Sequence, residues 1–170
     1  MTRFAFAVLI SVLLIGADAQ SPAPATAPDF AQYPSHAWLF TGKQVPTIFR
    51  TPGQRMFRTV IREHAKNRPN FAGHYVIAEW GCGTGCISIA IIDLETGVVN
   101  DGPFGNLPKA TLYLGPPPDP ESTGLFFRGN SRLLIARGCP NDGNCGNYFY
   151  EWNGAAFKLL LRTPIAATNK

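Results

Sequence analysis

The placement of the four cysteines constrains the fold of this chain more than any other feature. They flank two short loops, CGTGC and CPNDGNC, which begin at Cys82 and Cys139 and end at Cys86 and Cys145. Each loop separates two strand-like runs. Facing positions at the neck of a hairpin lie about 4.5–5.5 Å apart, inside the Cα range that a disulfide accepts. This favours two local bonds, although crossed pairing between the loops stays open because connectivity cannot be deduced from sequence.

The N-terminus has the pattern of an export signal. Arg3 supplies a positive start, an apolar run covers residues 4–15, and Ala17 and Ala19 form a small-x-small cleavage site. The apolar run is too short to span a bilayer comfortably. We therefore expect residues 1–19 to be removed and the mature chain to be periplasmic or secreted, where disulfides persist.

The remaining length suits one domain of ordinary size. Residues 20–32 are rich in proline and alanine, which favours an extended, disordered tether. Residues 33–165 are expected to form a single disulfide-stapled domain, and residues 166–170 a flexible tail. Cleavage would remove one base and one acid, so the mature chain would keep the net charge of +4.

The expected fold class is α+β and mainly β, an antiparallel meander with one N-terminal helix packed on it. Thr51 and Gln54 form a capping box with Pro52 at the first helical position, and an apolar stripe from Met56 to His64 follows. The sheet is either open or a small sandwich, and similar sequences around the two cysteine loops suggest two related β units. Eight runs rich in β-branched and aromatic residues are predicted as strands, at 74–81, 86–93, 97–100, 111–114, 124–128, 132–138, 147–152 and 156–162.

Three polar residues of the strand region, His74, Glu79 and Asp93, are weak candidates for catalysis. No nucleophile elbow, His-Glu-x-x-His motif or phosphate loop accompanies them. His74 and Glu79 would point to opposite faces of an extended strand, so they would not cooperate directly. The simpler interpretation is a hydrogen-bonded histidine and a glutamate that pairs with a neighbour such as Arg137. No catalytic residue is predicted, and enzymatic activity is left undecided but not favoured.

The cysteines do not form a convincing metal site. Cys82 and Cys86 have a zinc-type spacing, but five residues separate Cys139 from Cys145. The Cys-x-x-Cys spacing of redox centres and haem attachment is also absent from the sequence. We therefore predict no metal ion and no cofactor.

Two further patterns have both a functional and a structural interpretation. Tyr148, Tyr150 and Trp152 alternate onto one strand face, where they would pack a core or form a stacking platform. Basic residues cluster around the helix and would attract an acidic partner, although such a stripe is more often a solvated helix face. The members of this basic stripe are Arg50, Arg55, Arg58, Arg62, Lys66 and Arg68.

The cysteine-centred motifs resemble those of a group of small exported bacterial proteins. The similar segments are NFAGHY, WGCG with the following Cys86 and Ile-Asp, and then RGCPN, NCG and YEW, within roughly residues 50–162. The group has no established activity. The resemblance therefore implies an exported bacterial domain and assigns no functional residue.

Three functions fit these observations. The leading hypothesis is a binding or inhibitor module, because loops held by a rigid scaffold commonly carry recognition. The alternatives are an envelope-acting hydrolase that uses His74 with nearby carboxylates, and a structural envelope domain. The partner would be a protein or an envelope polymer, and an acidic partner would suit the basic stripe. Nucleic acid is not expected as a partner. The mature chain is expected to be a monomer without a membrane span. The predicted binding residues are Gly83, Thr84, Gly85, Asn141, Asp142 and Asn144.

Overall fold

The computed structural model describes residues 26–36, 45–105, 111–113, 124–141 and 143–165. The predicted signal segment and C-terminal tail lie outside these ranges. The predicted fold class is confirmed, since the described chain is mainly antiparallel β with little helix. No helix in the described ranges is long and apolar enough to cross a membrane. The eight strands are β1 Tyr75–Gly83, β2 Cys86–Asp93, β3 Val99–Asp101, β4 Leu112–Tyr113, β5 Gly124–Phe127, β6 Leu133–Pro140, β7 Gly146–Trp152 and β8 Phe157–Thr163.

The end of the predicted tether is held against the domain. Phe30–Gln32 form a 3-10 turn that is capped by the side chain of Asp29. The Ser131 hydroxyl lies 3.0 Å from the carbonyl oxygen of Phe30 and 2.9 Å from that of Tyr33. The Arg128 guanidinium stands 4.5 Å above the Phe30 ring. Contacts of this segment with the rest of the domain therefore begin at Phe30.

The prediction of a single helix is wrong in one respect, because two short helices occupy this segment. The capping box is present: Gln54 N–H donates to Thr51 Oγ1 at 3.2 Å, and Thr51 N–H donates to Gln54 Oε1 at 3.3 Å. The chain leaves helical geometry at Phe57 (φ −98°, ψ 17°), which separates α1 (Pro52–Met56) from α2 (Arg58–His64). This break shifts the helical phase, so Met56 is 64 % exposed and does not belong to the predicted apolar stripe.

The cap gives a direct test of α1. We expect Thr51→Ala to lower the free energy of unfolding by about 1 kcal/mol, because the Gln54 N–H would lose its acceptor. Urea denaturation with both disulfides intact would measure this loss. Thr59→Ala is the matched control, since Thr59 is exposed on α2 and away from the cap. Equal, negligible effects at both threonines would contradict the capping role.

The sheet consists of two antiparallel meanders joined through β4. The strand order is β1-β2-β4-β6-β7-β8, with β3 beside β2 and β5 beside β6. Each meander contains a cysteine hairpin, β1–β2 in the first and β6–β7 in the second, where β5 precedes the hairpin and pairs with β6. The third strands, β3 and β8, follow their hairpins in sequence and pair with β2 and β7.

The core lies between the two meanders. Tyr75 of β1 packs edge-to-face against Trp152 of β7, with ring centroids 5.3 Å apart, and Phe104 contacts Tyr150 in the same way at 6.4 Å. Trp152 is only 1 % exposed, so the alternating aromatics of β7 pack the core and are not a stacking platform. On the opposite face of β1, Trp80 contacts Phe57 at the helix junction.

Candidate functional site

The two cysteine loops lie side by side, because one row of paired residues crosses the sheet at their bases. Cys86 pairs with Tyr113, and Tyr113 pairs with Cys139 on its other side. Neighbouring strands are about 4.8 Å apart, so the row brings these two cysteines to within about 10 Å of each other. Gly138 permits this approach, because a Cβ at that position would overlap the Tyr113 carbonyl oxygen.

The disulfides follow the local pattern. Cys82 is bonded to Cys86 and Cys139 to Cys145, with Cα atoms 5.4 and 4.0 Å apart. The predicted local pairing is therefore confirmed. The adjacency that crossed pairing would have needed is also present, so the fold sets two separately closed loops next to each other.

The second loop is braced by hydrogen bonds with residues outside it. Asn141 donates from Nδ2 to the Phe104 carbonyl oxygen and accepts the Thr111 N–H at Oδ1, 3.0 Å away. Arg162 donates to the Cys145 carbonyl oxygen at 3.0 Å. The Tyr148 hydroxyl also donates to the Asn144 carbonyl oxygen. The Asn141 amide thus has an internal role, whereas the Asn144 side chain has no internal bond among those described.

The first loop is the more open of the two. Gly81 to Gly85 are all exposed, while Cys86 at the base is only 6 % exposed. Asp142 lies outside the described residues, and the other predicted binding residues are exposed. We use the name loop surface for the exposed residues Gly83, Thr84, Gly85, Asn141, Gly143 and Asn144.

A second candidate site forms where β1 begins and β2 ends. Antiparallel pairing sets Tyr75 opposite Asp93, which brings the preceding His74 to the turn after β2. His74 Nε2 lies 3.6 Å from Asp93 Oδ1 and 3.9 Å from Glu95 Oε2. We call these three residues the His74 cluster. An imidazole between two carboxylates is an arrangement that can hold a cation or orient a proton-transfer group.

The turn after β2 sets the geometry of the His74 cluster. Asp93 Oδ1 accepts the N–H groups of Glu95 at 2.8 Å and Thr96 at 3.1 Å. The Leu94 N–H donates to the His74 carbonyl oxygen at 3.1 Å, which ties the start of β1 to the turn. The position of each carboxylate is therefore coupled to the hairpin register.

The sequence candidates are only partly brought together. His74 and Asp93 meet, whereas Glu79 lies apart from them on β1, where desolvation raises the pKa of its carboxyl group and His64 partly lowers it. The expected pairing of Glu79 with Arg137 is wrong, because the described structure contains no ion pair between these residues, which belong to different meanders. Glu95 is not among the residues predicted from the sequence. Its place in the turn directly after Asp93 was the one signal that it could lie near the same site.

His74 lines an open cleft of about 290 Å³ together with Ser35, Tyr75 and Trp152. Burial raises the pKa of the Tyr75 hydroxyl, a polar interaction with the Trp152 indole lowers it in part, and the charges of Asp93 and Glu95 raise it further. The hydroxyl lies 3.4 Å from the Gly154 carbonyl oxygen, to which it donates. Tyr75 is therefore a neutral donor at physiological pH.

A larger cleft of about 420 Å³ lies elsewhere, between α1, β3 and the turn before β8. Its buried amide, Gln54, accepts the Arg50 N–H at 2.7 Å and donates to Asp101 Oδ1 at 3.2 Å. Together with the capping bond to Thr51, these contacts make Gln54 a structural link between helix and sheet. None of the residues that line this cleft belongs to the His74 cluster or to the cysteine loops.

The basic stripe has the features of a solvated helix face. All six of its members are exposed. Lys66 pairs with Glu63 at 2.7 Å, and Arg62 lies over the Phe49 ring at 5.3 Å. These contacts are intramolecular and weak in water, so the stripe adds positive charge to the surface without forming a defined site.

Comparison of the chain with protein-family models, with curated proteins and with solved structures finds no match. The loop surface and the His74 cluster are the two features of this chain whose geometry points to a function.

Proposed function

We propose that the protein is an exported binding or inhibitor-type module, periplasmic or secreted, that recognises a protein or an envelope polymer through the loop surface. The observation that carries this proposal is the row Cys86–Tyr113–Cys139, which sets two closed loops side by side. One loop alone would offer a small contact. Two adjacent loops present a continuous recognition surface on a rigid scaffold.

The loop surface is pre-organised for binding. Both loops are closed by disulfides, and the second is also held by Asn141, Tyr148 and Arg162. Loops that are ordered before association lose less conformational entropy when a partner binds. Glycine, threonine and asparagine supply hydrogen-bonding groups and little apolar area, so we infer a partner that offers polar groups to these loops.

Export is supported by three observations of different kinds. The two disulfides suit an oxidising compartment. The N-terminus has the pattern of a cleavable signal. The motifs around the cysteines resemble those of small exported bacterial proteins.

The proposal predicts that a bulky charge in either loop blocks binding. Thr84→Arg and Asn144→Arg alter different loops at exposed positions. We expect each to weaken capture of the partner by at least about tenfold, equivalent to about 1.4 kcal/mol. Chemical cross-linking of the mature chain in a periplasmic extract, followed by affinity measurement with the captured partner, would provide the readout.

Thr59→Arg is the matched control, because it makes the same change at an exposed threonine of α2. Unfolding curves would establish that all three variants remain folded. A partner whose affinity is unchanged in both loop variants, or is reduced equally in the control, would contradict the proposal.

A hydrolase is the second candidate, favoured by the approach of Asp93 and Glu95 to His74 beside an open cleft. In that case His74→Gln would abolish turnover of envelope material, whereas Thr84→Arg would leave it unchanged. The opposite result, loss of partner binding in Thr84→Arg alone, favours the binding module.

A further inference from the structure

The His74 cluster supplies three metal-ligating atoms of two kinds. One imidazole nitrogen and two carboxylate oxygens all lie within 4.8 Å of one another. Zinc binds such atoms at about 2.0–2.2 Å, so ligands of one ion stand roughly 3–3.5 Å apart. Small side-chain rotations would close the observed separations of 3.6 and 3.9 Å between His74 Nε2 and the two carboxylates.

The two carboxylates of the cluster form no ion pair with a lysine or arginine among the described residues. In the described part of the chain, the only ion-pair partner of Asp93 and Glu95 is His74. The field of the two carboxylates reaches the Tyr75 hydroxyl. A divalent cation between them would neutralise this charge.

A buried donor beside the cluster points to a further ligand. Trp152 is 1 % exposed and lines the same cleft as His74. Its indole N–H interacts with the Tyr75 hydroxyl but forms no well-aligned hydrogen bond among the described residues. A buried donor without a well-aligned acceptor is costly. An oxygen-bearing group in the cleft would accept from Trp152 and also stand close to an ion held at His74.

We propose that His74, Asp93 and Glu95 bind a divalent metal ion of the zinc or manganese kind, with open coordination positions towards the cleft. The mixed nitrogen and oxygen set suits such ions better than Ca²⁺, which takes six to eight oxygen ligands. Three protein ligands leave room for water or for an oxygen of a small anion, as in zinc sites that keep an open position. The site is separate from the loop surface, so it can fail without affecting the proposed function.

Zinc binding by the intact, tag-free mature chain is the first test. After removal of metal with EDTA, titration calorimetry with Zn²⁺ should show one saturable site per chain, and Ca²⁺ should bind more weakly. Asp93→Asn keeps an acceptor for the turn and Glu95→Gln keeps the side-chain shape, while each removes one charge. We expect each variant to weaken Zn²⁺ binding by at least about tenfold. Glu63→Gln, an exposed glutamate on α2, should leave binding unchanged.

Imidazole NMR resonances provide a second readout that needs no variant. The chain has three histidines, His36, His64 and His74. One equivalent of Zn²⁺ should shift the ring resonances of His74 most strongly and leave those of His64, on α2, in place, while His36 lines the same cleft as His74. The proposal is overturned if no saturable site is found, if His36 or His64 responds instead of His74, or if Asp93→Asn and Glu95→Gln bind Zn²⁺ as tightly as the unmodified chain.

Discussion

Trp152→Ala is expected to lower the free energy of unfolding by about 3–5 kcal/mol, the range found when a buried large aromatic is truncated. Trp152 is 1 % exposed and contacts Tyr75 of the first meander at 5.3 Å and Phe157 of β8 at 4.8 Å. Its removal would leave a cavity where the two meanders meet. Urea denaturation with intact disulfides, followed by circular dichroism, would measure the loss.

Two variants separate the contributions at this position. Trp152→Phe retains most of the packed ring and removes an N–H that forms no well-aligned hydrogen bond among the described residues, so we expect a smaller loss than for alanine. Trp80→Ala truncates a half-buried tryptophan on the helix side of β1 and should also cost less. A loss below about 1 kcal/mol for Trp152→Ala would mean that this side chain does not join the two meanders.

Gly97→Ala is expected to lower the free energy of unfolding by more than about 2 kcal/mol. Gly97 has a φ of +77°, a left-handed conformation that costs other residues about 1–2 kcal/mol. An added Cβ would also overlap the carbonyl oxygen of Pro46, a backbone atom that cannot rotate away. The Gly97 carbonyl accepts the Ile48 N–H at 2.7 Å, so relieving the overlap would disturb the pairing of the 45–48 segment with this turn.

Gly81→Ala is the matched control, because nothing lies within 4 Å of its Cβ position and its φ is not in the left-handed region. We expect its effect on the free energy of unfolding to stay within about 0.5 kcal/mol. Similar losses in both variants would contradict the steric argument. Because Gly97 ends the turn that holds Glu95, its substitution should also weaken any Zn²⁺ binding at the His74 cluster.

The strands could be predicted because their signals are local. All eight runs of β-branched and aromatic residues are strands, and most boundaries agree within one or two residues. The capping box at Thr51 was equally local. The break at Phe57 could not be predicted, nor could the bond of Gln54 to Asp101, a residue 47 positions away in sequence. A helical spacing contains no information about such a distant bond.

The disulfide pairing could be inferred because the residues between paired cysteines are few and the hairpins bring them together. The adjacency of the two loops could not be inferred from the sequence. It depends on β4, a strand of two residues that pairs with β2 on one side and β6 on the other. The His74 cluster has the same origin. Strand alternation separates His74 from Glu79, but it cannot say which carboxylates approach His74; the hairpin register and the turn held by Gly97 bring Asp93 and Glu95 there. Local residue patterns therefore define the elements and the short loops of this protein, whereas both candidate sites arise from pairing between segments, whose free energy depends on packing across the whole sheet.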